Sequence, residues 1–485
     1  MWVPGAVRSG SGHDEGMRTF DVVVVGAGPG GEVAAGYLAQ AGLRVAIVEA
    51  DKVGGECSFY ACIPSKALLR PGELLAQARR VPGAAEAVSG KLDVAAVLRR
   101  RDELIGHLDD AGQVPWLEER GIELIRGWGR LIGERRIAVT KSAGEGGPAG
   151  ESRSVGDGQD EEIIEATRAI ILAGGTRATI PAIEGLAGAR PWTNREAVTA
   201  QEIPESLVVI GAGVVGTEMS QAFTSLGSRV TLVGNVLPKE EDFAGRQVAD
   251  SLKEQGADVR EGVRAVAVTR TEKGVVEVTL SDGAVVSASE VLVAAGRTPQ
   301  TSGLGLESVG VASPAVDERM RVPGTAWLYV IGDLNGRALF THMAKYQARI
   351  AASEILGDGM AEQHLADGAG SPRVIFTEPQ VASVGHSTAS AAAASLAVRV
   401  IDIPTDGNAG GAFAGGSGGT VRFLVDENRG VLAGVTITGT DIADFLHAAT
   451  IAIVGEVPVR RLRHAVPSFP TRSEVWLKFF DALGI

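Results

Sequence analysis

The chain has 485 residues, a formal net charge of −13, 45% hydrophobic and 22% charged residues. That balance belongs to a folded globular protein, and it excludes nucleic acid as a main partner, because phosphate binding needs a positive stripe. No apolar run approaches the ~18–20 residues that span a bilayer, and at roughly 100–200 residues per domain the length predicts three or four domains.

Residues 1–19 are polar and Gly/Ser-rich and lack the apolar stretch of a signal peptide. They read as a disordered leader with Met1 or Met17 as the start, and a cytoplasmic location is the default expectation. Next, Asp21–Val25 is a continuous β-branched run suited to a strand buried on both faces. The turn Gly26-Ala-Gly28-Pro-Gly30-Gly31 follows at once, then a helix over Glu32–Gly42, a strand over Arg44–Val48, and the acid Glu49. Strand, Gly turn, helix, strand and acid make a βαβ unit of the dinucleotide-binding kind. In such a turn the first Gly permits the bend, the second lets backbone approach a pyrophosphate, and the third lets helix meet strand. The helix N-terminus then offers free N–H groups to the anion, and Glu49 stands where a carboxylate accepts from a ribose hydroxyl.

The segment Gly54-Gly55-Glu56-Cys57-Ser-Phe-Tyr60-Ala-Cys62-Ile-Pro64-Ser-Lys66 follows directly and holds both cysteines of the chain. A disulfide there closes a tiny loop worth about 2 kcal/mol at best, and a chain with a large core needs no staple. Two buried free thiols are the plain alternative to a redox pair. Pro64 suits the first turn of a helix, which puts Cys62 at or just before a helix N-terminus, where a thiol pKa falls.

A helical stretch is predicted from Pro64 to about Arg120, then strands over Ile132–Thr140 and Ile163–Leu172. These flank a polar segment, 141–162, without apolar periodicity, read as a flexible insertion. The grammar of the first unit then returns: strand Leu207–Ile210, turn Gly211-Ala-Gly213-Val-Val-Gly216, helix Thr217–Leu226, strand Arg229–Val233. Two such units predict two dinucleotide sites. Gly234 and Asn235 replace the acid of an NAD-type site, so a 2′-phosphate meets no repulsion, yet no Arg follows to bind it; the cofactor is NADPH or NADH, with NADPH favoured. After a polar linker near Gly357–Ser371, hairpin signals (Val421–Val425, a turn at 426–430, Val431–Ile437) and helices (Asp441–Val454, Thr471–Leu483) predict an α+β domain.

From Phe20 to Leu483 the chain resembles the class I pyridine nucleotide–disulfide oxidoreductases, the family of lipoamide dehydrogenase, glutathione reductase and mercuric reductase. The segment Gly54–Lys66 carries the most specific signature, supported by Ala295-Gly-Arg-Thr-Pro299, Ile331-Gly-Asp333, Thr341-His-Met-Ala344 and Val374-Ile-Phe-Thr-Glu-Pro379. The resemblance implies an α/β fold with two Rossmann-like dinucleotide-binding domains and a C-terminal α+β dimerisation domain. Its divisions would be 20–175 for FAD, 176–296 for NAD(P), 297–370 completing the FAD part, and 371–485 making a homodimer. It also implies that Cys62 faces the flavin, Cys57 exchanges with substrate, and Lys66 near the flavin pairs with Glu218. Gly26, Gly28, Gly30, Gly31, Glu49, Gly55, Lys66, Gly129, Gly174, Asp333 and Ala344 would hold FAD. Gly211, Gly213, Gly216, Asn235 and Gly296 would hold NAD(P). No metal is implied.

The chain departs from the family in one chemically important place. The family's His-Pro-Thr-x-x-Glu segment, whose His comes from the partner subunit and shuttles a proton to the exchanging thiol, here reads Phe469-Pro470-Thr471-Arg472-Ser473-Glu474. Phe469 cannot titrate, and losing a general acid–base typically costs about 10²–10⁴ in rate. His464 is a candidate replacement. Tyr60, in a filler between the cysteines that lacks the usual Asn, either packs or offers a hydroxyl. Three functions remain open: an NAD(P)H-dependent disulfide reductase acting through Cys57, Cys62, Lys66, Glu218 and Glu474; an NAD(P)H–quinone, diaphorase-type reductase that does not need the His; and a non-turnover flavin redox sensor. The absence of a C-terminal cysteine pair argues against mercuric ion reduction.

Overall fold

A computed structural model describes residues 17–141, 161–359, 368, 370–416 and 418–485. Most of the expected leader, residues 142–160 of the expected insertion, and much of the expected linker lie outside the described residues.

The first unit begins with β1 (Arg18–Val25), α1 (Pro29–Gln40), β2 (Val45–Glu49), α2 (Gly55–Phe59) and α3 (Cys62–Arg80). Arg18 and Thr19 therefore belong to the first strand rather than to a leader. In β1, Val22 and Val24 enter one apolar cluster and Val23 and Val25 another. Side chains alternate across a strand, so the run Val22–Val25 is buried on both faces and is apolar at every position.

The long helix expected to about Arg120 is instead broken. After α3 come α4 (Val94–Leu104) and α5 (Val114–Glu118), with short 3₁₀ turns between them. Val81-Pro82-Gly83 and the positive-φ residues Gly83, Gly90 and Gly106 end each run; Pro and Gly stop helices for want of an N–H and for backbone entropy.

The strands β3 (Glu123–Arg126), β4 (Trp128–Gly133), β5 (Arg136–Thr140) and β6 (Glu161–Leu172) follow. The single strand expected over Ile132–Thr140 is thus two, split at Arg135, whose φ is 56°. Glu161 and Glu162, expected in the insertion, lie in β6 and pair with Thr140 and Val139.

After β7 (Thr176–Ala178), a second unit is built from α6 (Asn194–Thr199), β8 (Ser206–Ile210), α7 (Val214–Ser225), β9 (Arg229–Val233), α8 (Asp242–Glu254) and β10 (Asp258–Arg260). Strands β11 (Ala265–Arg270), β12 (Val276–Leu280) and β13 (Val285–Ala288) form an antiparallel sheet beside it. Then β14 (Glu290–Val293) closes the parallel order β10-β9-β8-β14, and β15 (Arg297–Pro299) pairs with β7. The same two-faced burial recurs: Leu207 and Val209 face one cluster, Val208 and Ile210 the other.

The chain then returns to the first sheet. Strand β16 (Leu328–Val330) pairs in parallel with β6, giving seven strands. Helix α9 (Thr341–Leu356) packs on α1, with Ala344 against Gly30. The last sheet, ordered β17-β18-β21-β20-β19, comprises β17 (Arg373–Ile375), β18 (Gln380–Gly385), β19 (Val398–Pro404), β20 (Thr420–Asp426) and β21 (Val431–Gly439). Its helices are α10 (Thr388–Ala393), α11 (Ala409–Ala414), α12 (Leu446–Val454), α13 (Val459–Leu462) and α14 (Val475–Leu483). Helix α12 begins five residues later than the run expected from Asp441, and a 3₁₀ turn, Arg472–Glu474, precedes α14. Among the described residues no helix is long and apolar enough to cross a membrane.

Candidate active site

Both Gly turns have one construction. A Cβ on Gly26 would lie 2.5 Å from the carbonyl oxygen of Ala173, and one on Gly211 the same distance from that of Ala294. A Cβ on Gly31 would lie 1.9 Å from the oxygen of Gly26, and one on Gly216 would lie 1.8 Å from that of Gly211. Atoms cannot approach so closely, so these four positions admit only Gly. Gly28 and Gly213, by contrast, face open space. They are the N-cap residues of α1 and α7, and neither helix start has a side-chain cap. The first-turn N–H groups are thus left for an anion.

Glu49 ends β2 beside the first turn. It accepts from the N–H of Ala27 at 2.6 Å and of Asp51 at 2.7 Å, and burial pushes its carboxyl up from the ordinary range. Gly55 comes so near that its Cβ would lie 2.9 Å from the Cα of Gly28. A Cβ on Gly129 would lie 3.1 Å from side-chain carbons of Val25 and Val48, whereas one on Gly174 would meet nothing nearer than 3.8 Å. Asp333 accepts from Thr176 Oγ1 at 3.0 Å, and burial raises its carboxyl. A cleft with uncapped helix N–H groups, glycines that no Cβ can replace, and a carboxylate at the strand end fits the pyrophosphate and ribose of FAD. At the second turn Asn235 accepts from Gly262 N at 2.8 Å, and Gly296 holds Thr179 N at 2.9 Å.

The thiols sit beside the first turn. Gly54, at φ 104°, donates its N–H to the oxygen of Ala27, so the redox segment is hung directly from the first turn. Cys57 lies in α2, and Cys62 is the first residue of α3. Both are free and half-buried, and the Cys62 sulfur lies 3.4 Å from the Thr341 hydroxyl. The hydrogen bond from Cys57 brings the Cys62 thiol down to about 6, aided by Thr341 and by the charge of Lys66, against the opposing pull of burial. The same bond, with burial, pushes the Cys57 thiol up.

Helix α3 packs on α7 through Leu68, Leu69, Met219 and Phe223, about two turns beyond Cys62. This contact places Lys66 Nζ 2.7 Å from Glu218 Oε2. The other oxygen of the buried Glu218 accepts from Phe376 N at 2.9 Å, and the Lys66 ammonium lies 4.9 Å from the Phe376 ring centre. The start of the last domain is thereby fixed to both dinucleotide-type units.

Several contacts at the site have no signal in the sequence. Thr341 stands at the start of α9, its hydroxyl 3.4 Å from Cys62 Sγ. Glu32, in the first turn of α1, is pushed up to about 7 by burial, with Lys345 opposing. Glu56 gathers Arg195, Asn194 and Arg297. Tyr60 packs: the Arg195 guanidinium lies 4.1 Å from its ring centre, and burial pushes its hydroxyl up to about 12.

The C-terminal segment is elsewhere in the described chain. Phe469 is 76% exposed, with Val466 at 80% and Phe413 at 83%. Glu474 accepts from Gly410 N at 3.0 Å, capping the start of α11. His464 is exposed on the turn after α13.

Thr341→Val removes one donor to the Cys62 thiolate while keeping its shape. The folded pKa of Cys62 lies below the ordinary thiol value of about 8.5, so thiolate appears as pH rises through about 6. Titrating the ultraviolet thiolate absorbance of the reduced protein should show that midpoint moving upward in T341V; an unmoved midpoint would remove Thr341 from the site.

Two dinucleotide-type turns in one chain, with a thiol pair hung from the first, define a flavin- and nicotinamide-linked dithiol oxidoreductase. Residues 20–348 match the pyridine nucleotide-disulphide oxidoreductase family, and residues 371–479 match that family's dimerisation domain. The chain belongs to this family: it is an oxidoreductase that uses FAD and NAD(P)H and passes electrons through a dithiol–disulfide pair. It is 33% identical over 475 residues to dihydrolipoyl dehydrogenase 3 of Pseudomonas aeruginosa, covering 94% of this chain and 96% of that one. It is 31% identical to the dihydrolipoyl dehydrogenase of Halobacterium salinarum, covering 96% of each. Among solved structures, LpdA of Mycobacterium tuberculosis superposes with a TM-score of 0.80 at 28% identity, covering 95% of this chain and 98% of that one. The flavoprotein disulfide reductase RclA of Escherichia coli shares the fold, with a TM-score of 0.80 at 23% identity over 96% of this chain and 100% of that one.

Proposed function

We propose that the chain is an NADPH-preferring reductase of small disulfides whose leaving thiols are acidic, working as a homodimer. The single observation that carries this reading is the Cys57–Cys62 thiol pair, with Cys62 opening α3 and its thiol lowered, in a chain whose C-terminal segment has Phe469 where the family has its proton-shuttling His.

FAD, when bound, supplies two-electron exchange between the nucleotide and the dithiol. Gly26, Gly28, Gly30, Gly31, Glu49, Gly55, Gly129, Gly174, Asp333 and Ala344 would hold it. Gly211, Gly213, Gly216, Asn235 and Gly296 would hold the nucleotide. Lys66, paired with Glu218, keeps a cation near Cys62 and lowers its pKa.

Cys57 sulfur attacks one sulfur of the substrate disulfide, giving its proton to the Cys62 thiolate and expelling the first thiolate. Cys62 releases that proton to water and, as thiolate, attacks the Cys57 sulfur of the mixed disulfide. That forms the Cys57–Cys62 bond and releases the second thiolate; the two electrons of the dithiol end on the two product thiols. In the homodimer, Phe469 and Glu474 of one protomer line the other's cleft. With Phe469 there, the leaving thiolate departs without a proton from that position, and exchange is faster the lower the leaving thiol's pKa.

The test is NADPH- and NADH-driven turnover across disulfides from an acidic aromatic thiol to an ordinary alkyl thiol. A fall of about tenfold or more along that series is expected, with kcat/KM higher for NADPH. A flat series or an NADH preference would contradict the proposal.

The exposed apolar Phe469 and Val466 favour one second reading, an NAD(P)H–quinone reductase with an aromatic acceptor.

A further inference from the structure

We propose that Glu56 is a positioning residue for the thiol pair, locking the turn that carries Cys57 onto both segments that cross between the two dinucleotide-type units. The inference rests on the disulfide-reductase reading and adds a residue to it.

Glu56 precedes Cys57 in α2. Its Oε1 accepts from Arg195 Nε at 2.5 Å, and its Oε2 from Asn194 Nδ2 at 2.9 Å and Arg297 NH2 at 3.3 Å. Asn194 and Arg195 open α6, on the way into the second unit; Arg297 opens β15, on the way out. One carboxylate therefore joins the chain's two crossings.

The partners hold the turn itself as well. Asn194 Nδ2 also donates to the oxygen of Tyr60 at 2.7 Å, and the Arg195 guanidinium covers the Tyr60 ring. Tyr60 lies between the cysteines, so both ends of that filler are pinned. Arg297 continues inward, donating to Thr176 Oγ1 at 2.6 Å and to Thr176 oxygen at 2.8 Å; Thr176 in turn donates to Asp333. A chain of hydrogen bonds thus runs from beside Cys57 to a residue of the FAD cleft. Arg195 also reaches Asp51 at 3.2 Å, just beyond β2.

The hydrogen bond between the thiols depends on the distance between α2 and the first residue of α3. Freed from its clamp, the turn lets the sulfurs drift apart. Misplacement of about 1 Å in a reacting pair can cost about 10²-fold in rate.

The test uses the holoenzyme with Glu56→Ala, Glu56→Gln and Arg195→Ala. Three quantities are read: NADPH-driven disulfide turnover, NADPH–ferricyanide turnover, which does not use the thiols, and the thiolate titration of the reduced protein. Glu56→Ala and Arg195→Ala should each lower disulfide turnover about tenfold or more, leave ferricyanide turnover within about twofold, and raise the thiolate midpoint. The double variant should be no worse than either single one, because both break one unit. Glu56→Gln keeps an amide oxygen for Asn194 and Arg297 and should retain part of the rate, which covers the case of an unstable Glu56→Ala. Equal loss of both activities, an unchanged thiolate midpoint, or additive losses would overturn the proposal. Wild-type protein without any disulfide turnover would count against the disulfide reading alone, since the thiolate midpoint still reports the clamp.

Discussion

Replacing Cys57 by Ser is expected to abolish NAD(P)H-driven disulfide reduction and to leave NAD(P)H–quinone turnover within about twofold. Ser keeps the shape of the half-buried position, so the fold survives, but its oxygen cannot form the mixed disulfide. Loss of a nucleophile of this kind removes the route rather than slowing it, and steady-state assays should find no disulfide-dependent turnover above background. The hydrogen bond from Cys57 is also the largest influence lowering Cys62. A Ser hydroxyl can still donate there, so the Cys62 thiolate should persist in the variant. Disulfide reduction retained by Cys57→Ser would refute the role assigned to Cys57.

The second large effect is a gain. Restoring an imidazole with Phe469→His should raise turnover of an alkyl disulfide by about 10–10²-fold, a part of the 10²–10⁴ that a positioned acid–base contributes. An aromatic disulfide, whose thiolate needs no proton, should change by less than about twofold. The variant's pH–rate profile should gain a limb near the His range of about 6.5, absent from the wild type. Phe469 is exposed in the single chain, so the substitution disturbs no core. Glu474 remains at that turn, held by Gly410 N–H, to orient the ring. Equal gains for both substrates would show that Phe469 acts by shape rather than by lacking a proton.

Both dinucleotide-type units were legible in the sequence because their signals are local. A β-branched run read directly as β1 and β8, and the Gly spacing matched two turns that no side chain can enter. Segment ends were less legible. The helical stretch after Pro64 hid its breaks at Gly83, Gly90 and Gly106, and Arg135 turned one expected strand into two. Lys66 and Glu218 lie 152 positions apart yet were paired in advance, because each sits at a motif position. Glu56, Arg195 and Arg297 could not be joined that way: their meeting depends on two crossings converging in space, and no periodicity records it. Thr341 was visible in a motif, but its contact with Cys62 follows only from the packing of α9 on α1.

We propose, as the family resemblance implies, that Cys62 faces the flavin and would exchange an electron pair with it. The most direct measurement is an anaerobic titration of the purified FAD-bound protein with NADPH, followed in the visible spectrum. A long-wavelength charge-transfer band that reaches its maximum after two electrons and is absent from Cys62→Ser is the predicted result. Bleaching of the flavin at two electrons with no such band in the wild type would contradict it.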